Sequence, residues 1–433
     1  MISLVGTGLA TVALGLLAYA LAGADAGLVL GAVLAIKMCA YVVLAPIVTA
    51  VADRLPRKGF LVAMDLLRVA VAVFLPFVTE LWQVFVLIVL LQAASAAFTP
   101  TFQATIPLVL PDERDYTRAL SLSRLAFDLE SLLSPVLAAA LLTVTGFSWL
   151  FAGTAFGFAA SAALVLSVVL PAGTAAKRPG GFYDRTSRGT RIYLATPRLR
   201  ALVGLNLAAA AAGAMVLVDT VVVIRADLGM SETAVALALG AYGAGSMLAA
   251  LVLPRVLAAV PDRRLMLAAA VALAGSLVVI ACAYTLGPAS ARWPVILCGW
   301  VALGMGYSLV STPVGRLIRR SGGPGDWPAL FAAQFAISHA GWLLTYVLAG
   351  GLGAVVGTAP TMLVLGALAL GGAVWAARVW PPDDPEHLDH VHAHLTPDHP
   401  HLRDAAPVDD GWSHTHSYVI DDEHRAWPVG ARR

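Results

Sequence analysis

Long apolar runs limit what this chain can fold into more than any other feature. A helix of about 20 residues crosses the hydrocarbon core of a bilayer, and twelve apolar runs near or above that length cover most of the chain. They occupy residues 2–22, 27–50, 60–79, 81–105, 118–145, 147–170, 199–224, 233–253, 265–286, 294–317, 328–352 and 357–379. Charged residues make up only 12% of the chain, about half the share of a soluble protein. We predict an all-α membrane protein with twelve transmembrane helices.

The basic residues between the runs predict an orientation. They recur in alternate connections, in residues 51–59, 106–118, 171–198 and 254–264 and at Arg319 and Arg320. The intervening connections carry only Arg225 and Arg292. Cytoplasmic loops of membrane proteins are enriched in Lys and Arg. We therefore expect a multi-pass protein of the inner (plasma) membrane with both termini in the cytoplasm.

The longest connection, residues 171–198, is rich in Gly, Pro, Ser, Thr and Arg, as expected of a linker. It predicts four units: an N-terminal six-helix bundle (1–170), a cytoplasmic linker (171–198), a C-terminal six-helix bundle (199–379) and a tail (380–433). A short repeat relates the halves, since Asp-Arg follows the second run of each, at Asp53 and Asp262. Paired halves around a central site are typical of secondary transporters.

The sequence Ala-Asp-Arg-Leu-Pro-Arg-Lys, residues 52–58, resembles the G-x-x-x-D-R-x-G-R-[RK] loop of the major facilitator superfamily, with Thr49 and Pro56 at the glycine positions. The resemblance extends over residues 1–379 and implies that family's twelve-helix fold and solute transport. It also implies a gating loop that latches the cytoplasmic side, formed by Asp53, Arg54, Arg57 and Lys58. A plain positively charged cytoplasmic loop is the alternative.

Two further stretches resemble exporters of that superfamily. Leu133–Ala139 is similar to the G-P-x-x-G-G element of the fifth helix, with Ser134 before the proline and two alanines for the glycine pair. Small side chains of this kind allow close packing of helices. The stretch from Phe98 to Pro107, followed by residues 119–122, resembles macrolide and siderophore exporters. Both favour export over import.

Ionisable groups at membrane depth are costly and usually functional. Six of them are candidates for a proton or substrate site, namely Lys37, Arg124, Asp128, Glu130, Asp219 and His339. A carboxylate in a low-dielectric site can bind and release a proton near neutral pH, and a histidine does so with little tuning. We expect Asp128 or Glu130 to carry a proton or cation, with His339 as a second carrier and Lys37 as a countercharge.

Structural roles are the alternative for several of these groups. Arg124 and Asp128 are four residues apart and can form a simple helix ion pair. Asp219 can be solvated at the outer interface, and His339 can hydrogen-bond a neighbouring helix. Polar residues in the runs mark the expected cavity, namely Gln92, Gln103, Tyr242 and Gln334, although such groups also serve helix packing. We assign Asp65 and Arg68 to the cytoplasmic latch.

The tail is chemically distinct from the rest of the chain. Residues 1–379 hold 24 basic and 15 acidic residues, whereas residues 380–433 hold 4 and 11. Nine of the ten histidines lie in the last 47 residues. The candidate metal ligands are His387, His390, His392, His394, His399, His401, His414 and His416, with His424 closing the series. Imidazoles with carboxylates suit Ni²⁺, Zn²⁺, Co²⁺ or Cu²⁺, and short unequal spacing predicts exchangeable binding by a mobile segment. A solvated acidic tail is the alternative.

Asp398–His401 and His414–Pro428 resemble the histidine-rich tails of the nickel-resistance exporters of the superfamily. The resemblance implies proton-coupled efflux of Ni²⁺ or a related divalent ion, with that metal as tail ligand and no resident cofactor. The alternatives are efflux of an amphiphilic drug or siderophore and a non-transporting membrane sensor.

We expect no enzyme, because no nucleophile constellation, phosphate loop or closed metal motif is present. The expected partners are lipid, protons and a small solute, without nucleic acid, and the expected state is a monomer.

Overall fold

A computed structural model of the chain describes residues 2–22, 26–52, 55–170, 181–385, 387–393, 395–396, 398–424 and 426–428. Its first group of helices comprises α1 (Ile2–Ala22), α2 (Ala26–Ala52), α3 (Arg57–Phe74), α4 (Leu81–Val109), α5 (Glu113–Leu142) and α6 (Ser148–Ser167). The second group comprises α7 (Phe182–Ala195), α8 (Pro197–Val221), α9 (Glu232–Ala259), α10 (Asp262–Leu286), α11 (Ala289–Ser311), α12 (Val314–Arg320), α13 (Trp327–Val356) and α14 (Thr358–Val379).

The helices confirm the predicted all-α membrane fold. In the described part of the chain, ten helical segments are long and apolar enough to cross a membrane, and α11 and α12 together form one of them. Shorter apolar stretches, Ser3–Leu14 and Ala35–Ala50, lie in α1 and α2, so the structure is consistent with twelve spans. Helices satisfy every backbone hydrogen bond internally, which the hydrocarbon core of a bilayer requires.

Each half of the molecule has its own apolar core. The core of the first half includes Ile88, Phe151 and Phe158, all nearly inaccessible to solvent. The core of the second half is larger and is centred on α8, whose Thr220 hydroxyl accepts a hydrogen bond from the Trp300 indole of α11 at 2.8 Å. The halves described below are therefore α1–α6 and α8–α14.

Glycines allow close helix contacts in the second half. A Cβ atom at Gly245 of α9 would overlap the carbonyl oxygen of Val301 of α11, and one at Gly304 of α11 would overlap that of Tyr242. Small residues at such crossings let helix backbones pack together in lipid, where no hydrophobic effect drives association. The α9–α11 contact therefore depends on the absence of a side chain at Gly245.

Two segments outside the membrane spans are folded. Helix α7 lies within the stretch expected to be a linker, and its Tyr193 hydroxyl donates a hydrogen bond to Gln334 of α13. The tail forms an antiparallel sheet of β1 (His387–His392), β2 (Ala406–Val408) and β3 (Gly411–Ser417), in the order β1-β3-β2. The chain turns into β3 at Gly411, whose φ of 139° suits glycine alone.

The tail packs on the second half. Leu388 of β1, Tyr418 and Ile420 are buried in the same apolar core as α8 and α11. This arrangement differs from the mobile segment that the histidine spacing predicted. On β1 the even-numbered residues Leu388, His390 and His392 lie on the more buried face and the odd-numbered ones are exposed, so pairing with β3 lets the strand bury one face.

Replacing Gly245 by alanine should lower the stability of the purified protein in detergent by about 1–3 kcal/mol, the usual cost of overpacking. The measurement is a thermal or denaturant unfolding curve. Gly240 is the matched control, because it lies on the same helix and a Cβ there would meet open space. An equal effect of Gly240→Ala and Gly245→Ala would contradict this account of the α9–α11 contact.

Candidate functional site

Arg124 and Asp128 join the two halves at mid-depth. The Arg124 guanidinium of α5 donates two hydrogen bonds to the Asp128 carboxylate one turn along the same helix. Its Nε also lies 3.1 Å from the Ser246 hydroxyl of α9, and its Cζ lies 4.7 Å from the centre of the Tyr307 ring of α11. The pair is therefore more than a helix ion pair, because its cation also binds two helices of the other half.

Aromatic side chains of the second half continue from this pair. The ring centres of Tyr242 and Tyr307 lie 6.1 Å apart, those of Tyr307 and Trp342 5.9 Å, and those of Trp342 and Tyr346 5.1 Å. Only Tyr242 was among the candidates from the sequence. The other three lie in apolar runs, and the sequence does not reveal which face of a run meets the opposite half.

A second group of candidates lies between α2 and α13. The His339 ring packs edge-on against Tyr41 of α2, with ring centres 4.8 Å apart, and its Nδ1 donates to the carbonyl oxygen of Phe335 at 2.7 Å. The Lys37 Nζ lies 5.8 Å from the centre of the same Tyr41 ring. Tyr41 therefore separates a lysine of the first half from a histidine of the second.

Glu130 lies near Lys37, in the first half of the molecule. The two charges interact, and the Glu130 carboxylate accepts a hydrogen bond from Ser134 at 3.1 Å. A Cβ at Gly8 of α1 would overlap Glu130, so this carboxylate faces α1. Asp128 faces α9 instead, as expected for two residues two positions apart on a helix.

A small cavity of about 30 Å³, lined by both polar and apolar side chains, lies beside Lys37 in the first half. Its walls include Gln92 and Ser95 of α4 and Thr7 and Thr11 of α1. A space of this size next to hydroxyls, an amide and an ammonium group suits a water molecule and is too small for a large apolar solute. Of the sequence candidates, Lys37 and Gln92 thus line the same small cavity.

Other candidates lie elsewhere. Asp219 is buried rather than solvated, next to Gly353 near the far end of α13, and it is not grouped with Asp128 or Glu130. Gln334 exchanges two hydrogen bonds with Asn206 of α8, at 3.0 and 3.1 Å, in addition to the one from Tyr193. It therefore ties α7, α8 and α13 together. Gln103 is partly buried in α4 without a described polar partner.

The assignment of Asp65 and Arg68 to the latch is wrong. Both lie in the middle of α3, where they form a buried ion pair. The Arg68 Cζ stacks on the rings of Phe98 and Phe158, at 4.1 and 4.6 Å from their centres. Low-dielectric surroundings require such a partner for each charge, so the pair belongs to the core of the first half.

A second set of polar contacts joins α5 to α12. Arg316 forms an ion pair with Glu113 at 2.6 Å and donates to the Thr117 hydroxyl at 2.9 Å. Arg319 donates to the Pro111 carbonyl oxygen. Of the expected gating loop, Asp53 and Arg54 lie outside the described residues, Arg57 is partly buried, and Lys58 donates to the Val168 carbonyl oxygen at 3.0 Å.

The tail gathers six imidazoles. Five pairs of their Nε2 atoms lie 3.0–3.2 Å apart, and together these pairs connect all six rings. The cluster, called the histidine centre below, consists of His390, His392, His401, His414, His416 and His424. The strand pairing places His390 opposite His414, and alternation directs every second residue of β1 and β3 to the same face.

Not every tail histidine takes part. His387 is exposed on β1, and the His399 Nδ1 accepts the backbone N–H of His401 at 3.3 Å. His394 lies outside the described residues. Loss of hydration on burial, followed by repulsion from the other histidines, lowers the pKa of His392 and of His414 to about 4. These rings are therefore neutral at physiological pH, as a metal ligand must be.

The chain belongs to the major facilitator superfamily. The sequence profile described as Major Facilitator Superfamily matches residues 1–222 and 201–414. The members of this family are transporters, which agrees with the expectation that the chain is a membrane-embedded transporter and not an enzyme. None of the curated proteins matches the sequence significantly.

Solved structures with the same fold share little sequence with the chain. The human organic anion transporter MFSD10 (TETRAN) has a TM-score of 0.67 and 14% identity, covering 87% of this chain and 98% of its own. The E. coli fucose:proton symporter FucP gives 0.67 and 13%, covering 88% and 96%. The proton:xylose symporter XylE gives 0.64 and 13%, covering 88% and 94%. At these identities the likeness shows the fold alone.

Replacing Arg124 by alanine should destabilise the protein by about 3 kcal/mol, because Asp128 would remain buried without its partner. The double variant Arg124→Ala/Asp128→Ala should recover part of that loss, measured by unfolding in detergent. Arg118→Ala on the same helix is the control, since its pair with Asp115 is exposed and worth at most about 1 kcal/mol. A double variant less stable than Arg124→Ala would disprove the coupling.

Proposed function

We propose that this protein is a secondary active transporter that exports a divalent metal ion such as nickel or cobalt in exchange for protons. The observation that carries the proposal is the histidine centre, because six converging imidazoles have no role in moving a sugar or an organic anion. A metal-binding element joined to a transport bundle is expected when the metal ion is the transported solute or when it regulates transport. The family membership supports solute transport, and the metal is inferred from the tail.

The proposed exchange site includes Glu130, Lys37 and His339. A carboxylate can bind either a proton or a cation, and the two compete for the same oxygen atoms. When Glu130 binds a proton it no longer balances Lys37, whose positive charge then disfavours a metal ion nearby. Competition of this kind couples outward movement of the metal to inward movement of protons. His339, across the Tyr41 ring, offers a nitrogen ligand or a second proton acceptor.

Alternating access requires the halves to separate at one end while they close at the other. The hydrogen bonds of Arg316 and Arg319 to α5 hold the halves together near the tail. We assign this face to the cytoplasm, because the basic loops are concentrated there. Opening toward the cytoplasm then breaks the pair between Arg316 and Glu113, and the Arg124 contact with α9 acts as the pivot at mid-depth.

The proposed location is the inner (plasma) membrane, with both termini in the cytoplasm. Basic residues on the tail side of the bundle, including Arg188, Arg316 and Arg319, support this orientation. It places the histidine centre in the compartment from which an exporter must remove its solute. We expect the monomer to be the working unit, because the described exchange site lies within one chain.

Glu130→Gln should abolish proton-driven Ni²⁺ or Co²⁺ flux in proteoliposomes, because an amide cannot exchange protons. The flux is measured with a metal-sensitive dye inside the vesicles after a pH jump. Glu232→Gln is the control, since Glu232 is exposed in the first turn of α9. Full flux by Glu130→Gln would remove this carboxylate from the mechanism, and absence of metal flux in the native protein would reject the metal as solute.

The aromatic residues Tyr242, Tyr307, Trp342 and Tyr346 favour a second candidate, efflux of an amphiphilic organic molecule. Aromatic faces next to the Arg124 guanidinium suit a flat solute, and an anionic group on it would be attracted to the arginine. Under this alternative, Trp342→Ala should lower efflux of such compounds and leave metal flux unchanged. Growth of cells carrying the protein on drugs and on divalent metals separates the two candidates.

A further inference from the structure

The histidine centre has the geometry of an octahedron. Each of its six rings has four near neighbours, and the twelve pairs so formed have ring centres 4.7–5.2 Å apart. His390 and His401 face each other across the centre at 6.5 Å. The two other opposed pairs are His392 with His416 and His414 with His424. An octahedron has twelve edges and three such diagonals.

The nitrogen separations agree with this shape. In five of the twelve adjacent pairs the Nε2 atoms lie 3.0–3.2 Å apart. A metal–imidazole bond of about 2.1 Å gives adjacent ligand nitrogens about 3.0 Å apart in an octahedron and about 3.4 Å apart in a tetrahedron. The observed spacing therefore matches six-coordination, which suits Ni²⁺, Co²⁺ or Fe²⁺ better than the four-coordinate sites typical of Zn²⁺.

Hydrogen bonds on the far side of three rings show which nitrogen carries the proton. The Nδ1 atoms of His390 and His416 lie 3.0 and 2.8 Å from the backbone carbonyl oxygens of Leu388 and Ser417, and that of His424 lies 2.8 Å from the Asp421 carboxylate. Such oxygens only accept, so each Nδ1 donates, and each neutral ring directs an Nε2 lone pair inward.

These lone pairs cannot bond to one another. The Nε2 atoms of His390 and His424 lie 3.0 Å apart with no proton between them when both rings are neutral. Lone pairs that converge from several directions are stable only around a cation. The backbone and carboxylate acceptors behind the rings are the usual outer partners of metal-binding histidines, since they hold the ring orientation.

The ligands come from four separate segments of the tail. His390 and His392 lie on β1, His401 on the turn Pro400–Leu402, and His414 and His416 on β3. His424 follows the segment that packs on the bundle. One ion would thus tie together a segment of about 35 residues that has little apolar core of its own, as in small domains that fold only with metal.

The same segment is bonded to the membrane part. Asp422 forms an ion pair with Arg188 of α7 at 2.8 Å, and Arg188 forms another with Asp326 before α13 at 2.7 Å. The Trp427 ring lies 5.2 Å from the Arg198 guanidinium of α8. His424 is only two residues from Asp422, so order at the metal extends directly to these contacts.

We propose that the tail is a metal-responsive clamp, in which six imidazoles hold one divalent transition-metal ion in an octahedral shell and thereby fix the tail against α7 and α8. A shell of six protein ligands leaves no open position for transfer to another site. The histidine centre therefore binds the metal ion as a structural ligand and does not transfer it to the transport path. This inference does not depend on the solute that the bundle moves.

Cobalt tests the geometry in the purified full-length protein. We expect one Co²⁺ per chain with the weak visible absorption of a six-coordinate ion, whereas intense four-coordinate bands or several ions per tail would overturn the proposal. His392→Ala should weaken binding by about tenfold or more. His387→Ala should leave the affinity unchanged, because this histidine of the same strand points away from the centre. Unchanged affinity in His392→Ala would also overturn the proposal.

Hydrogen exchange tests the clamp, and the native protein alone suffices if the ligand variant fails to fold. Some backbone amides of the tail exchange only when the metal is released. Free Ni²⁺ at a hundred times its Kd should slow the exchange rate of these amides by up to about a hundredfold. Slower exchange in α7 is also expected.

Asp422→Ala should keep the cobalt spectrum but lose the protection of α7, and Asp409→Ala, in the exposed turn between β2 and β3, should keep both. Metal binding without protection of α7 would refute the clamp. Flux is not measured here, so failure of the transport proposal leaves this result unaffected.

Discussion

The hydrocarbon core of a bilayer offers no hydrogen-bond partner to a polar group, and the rest of the structure depends on this constraint. It requires helices for the backbone, and it makes an ionised side chain inside the bundle costly unless that side chain has a partner. Asp65 pairs with Arg68, whose guanidinium stacks on two aromatic rings, and Asp128 pairs with Arg124. The first pair holds one half together, whereas the second also reaches Ser246 and so joins the halves.

Charge therefore has two kinds of role in this molecule. Near the tail, Arg316 and Arg319 of α12 connect to α5 through groups that can separate and be hydrated when the halves move apart. At mid-depth, Lys37 and His339 lie next to the Tyr41 ring, and Glu130 interacts with Lys37. Hydration is limited there, so a change of protonation alters the balance of charge. The first set suits a latch and the second suits ion exchange, because the energy of an unpaired charge rises as water is removed.

Particular residues show how far the sequence could predict the site. The strand alternation at His390 and His392 is visible in the sequence, yet the short unequal spacing predicts a mobile segment, because the sequence does not show which strand pairs with β1. His424 follows His390 by 34 residues and reaches the same centre only through folding of the tail. Tyr307 and Trp342 were missed because an aromatic residue in an apolar run gives no sign of the face it occupies.

The sequence by itself determined the membrane class, the all-α fold and the superfamily. Run length, loop charge and short motifs are local properties of the chain, and in lipid the hydrogen-bonding needs of the backbone allow an apolar run of sufficient length to form only a helix. It also identified the histidine-rich tail as a candidate for metal. Only the tertiary structure decided which charges meet. It separated Asp219 from Glu130, moved Asp65 and Arg68 from the latch to the core, and gathered six of the histidines into one centre. The physical reason is that such groups are brought together by helix packing and strand pairing over long sequence separations, which spacing along the chain does not encode.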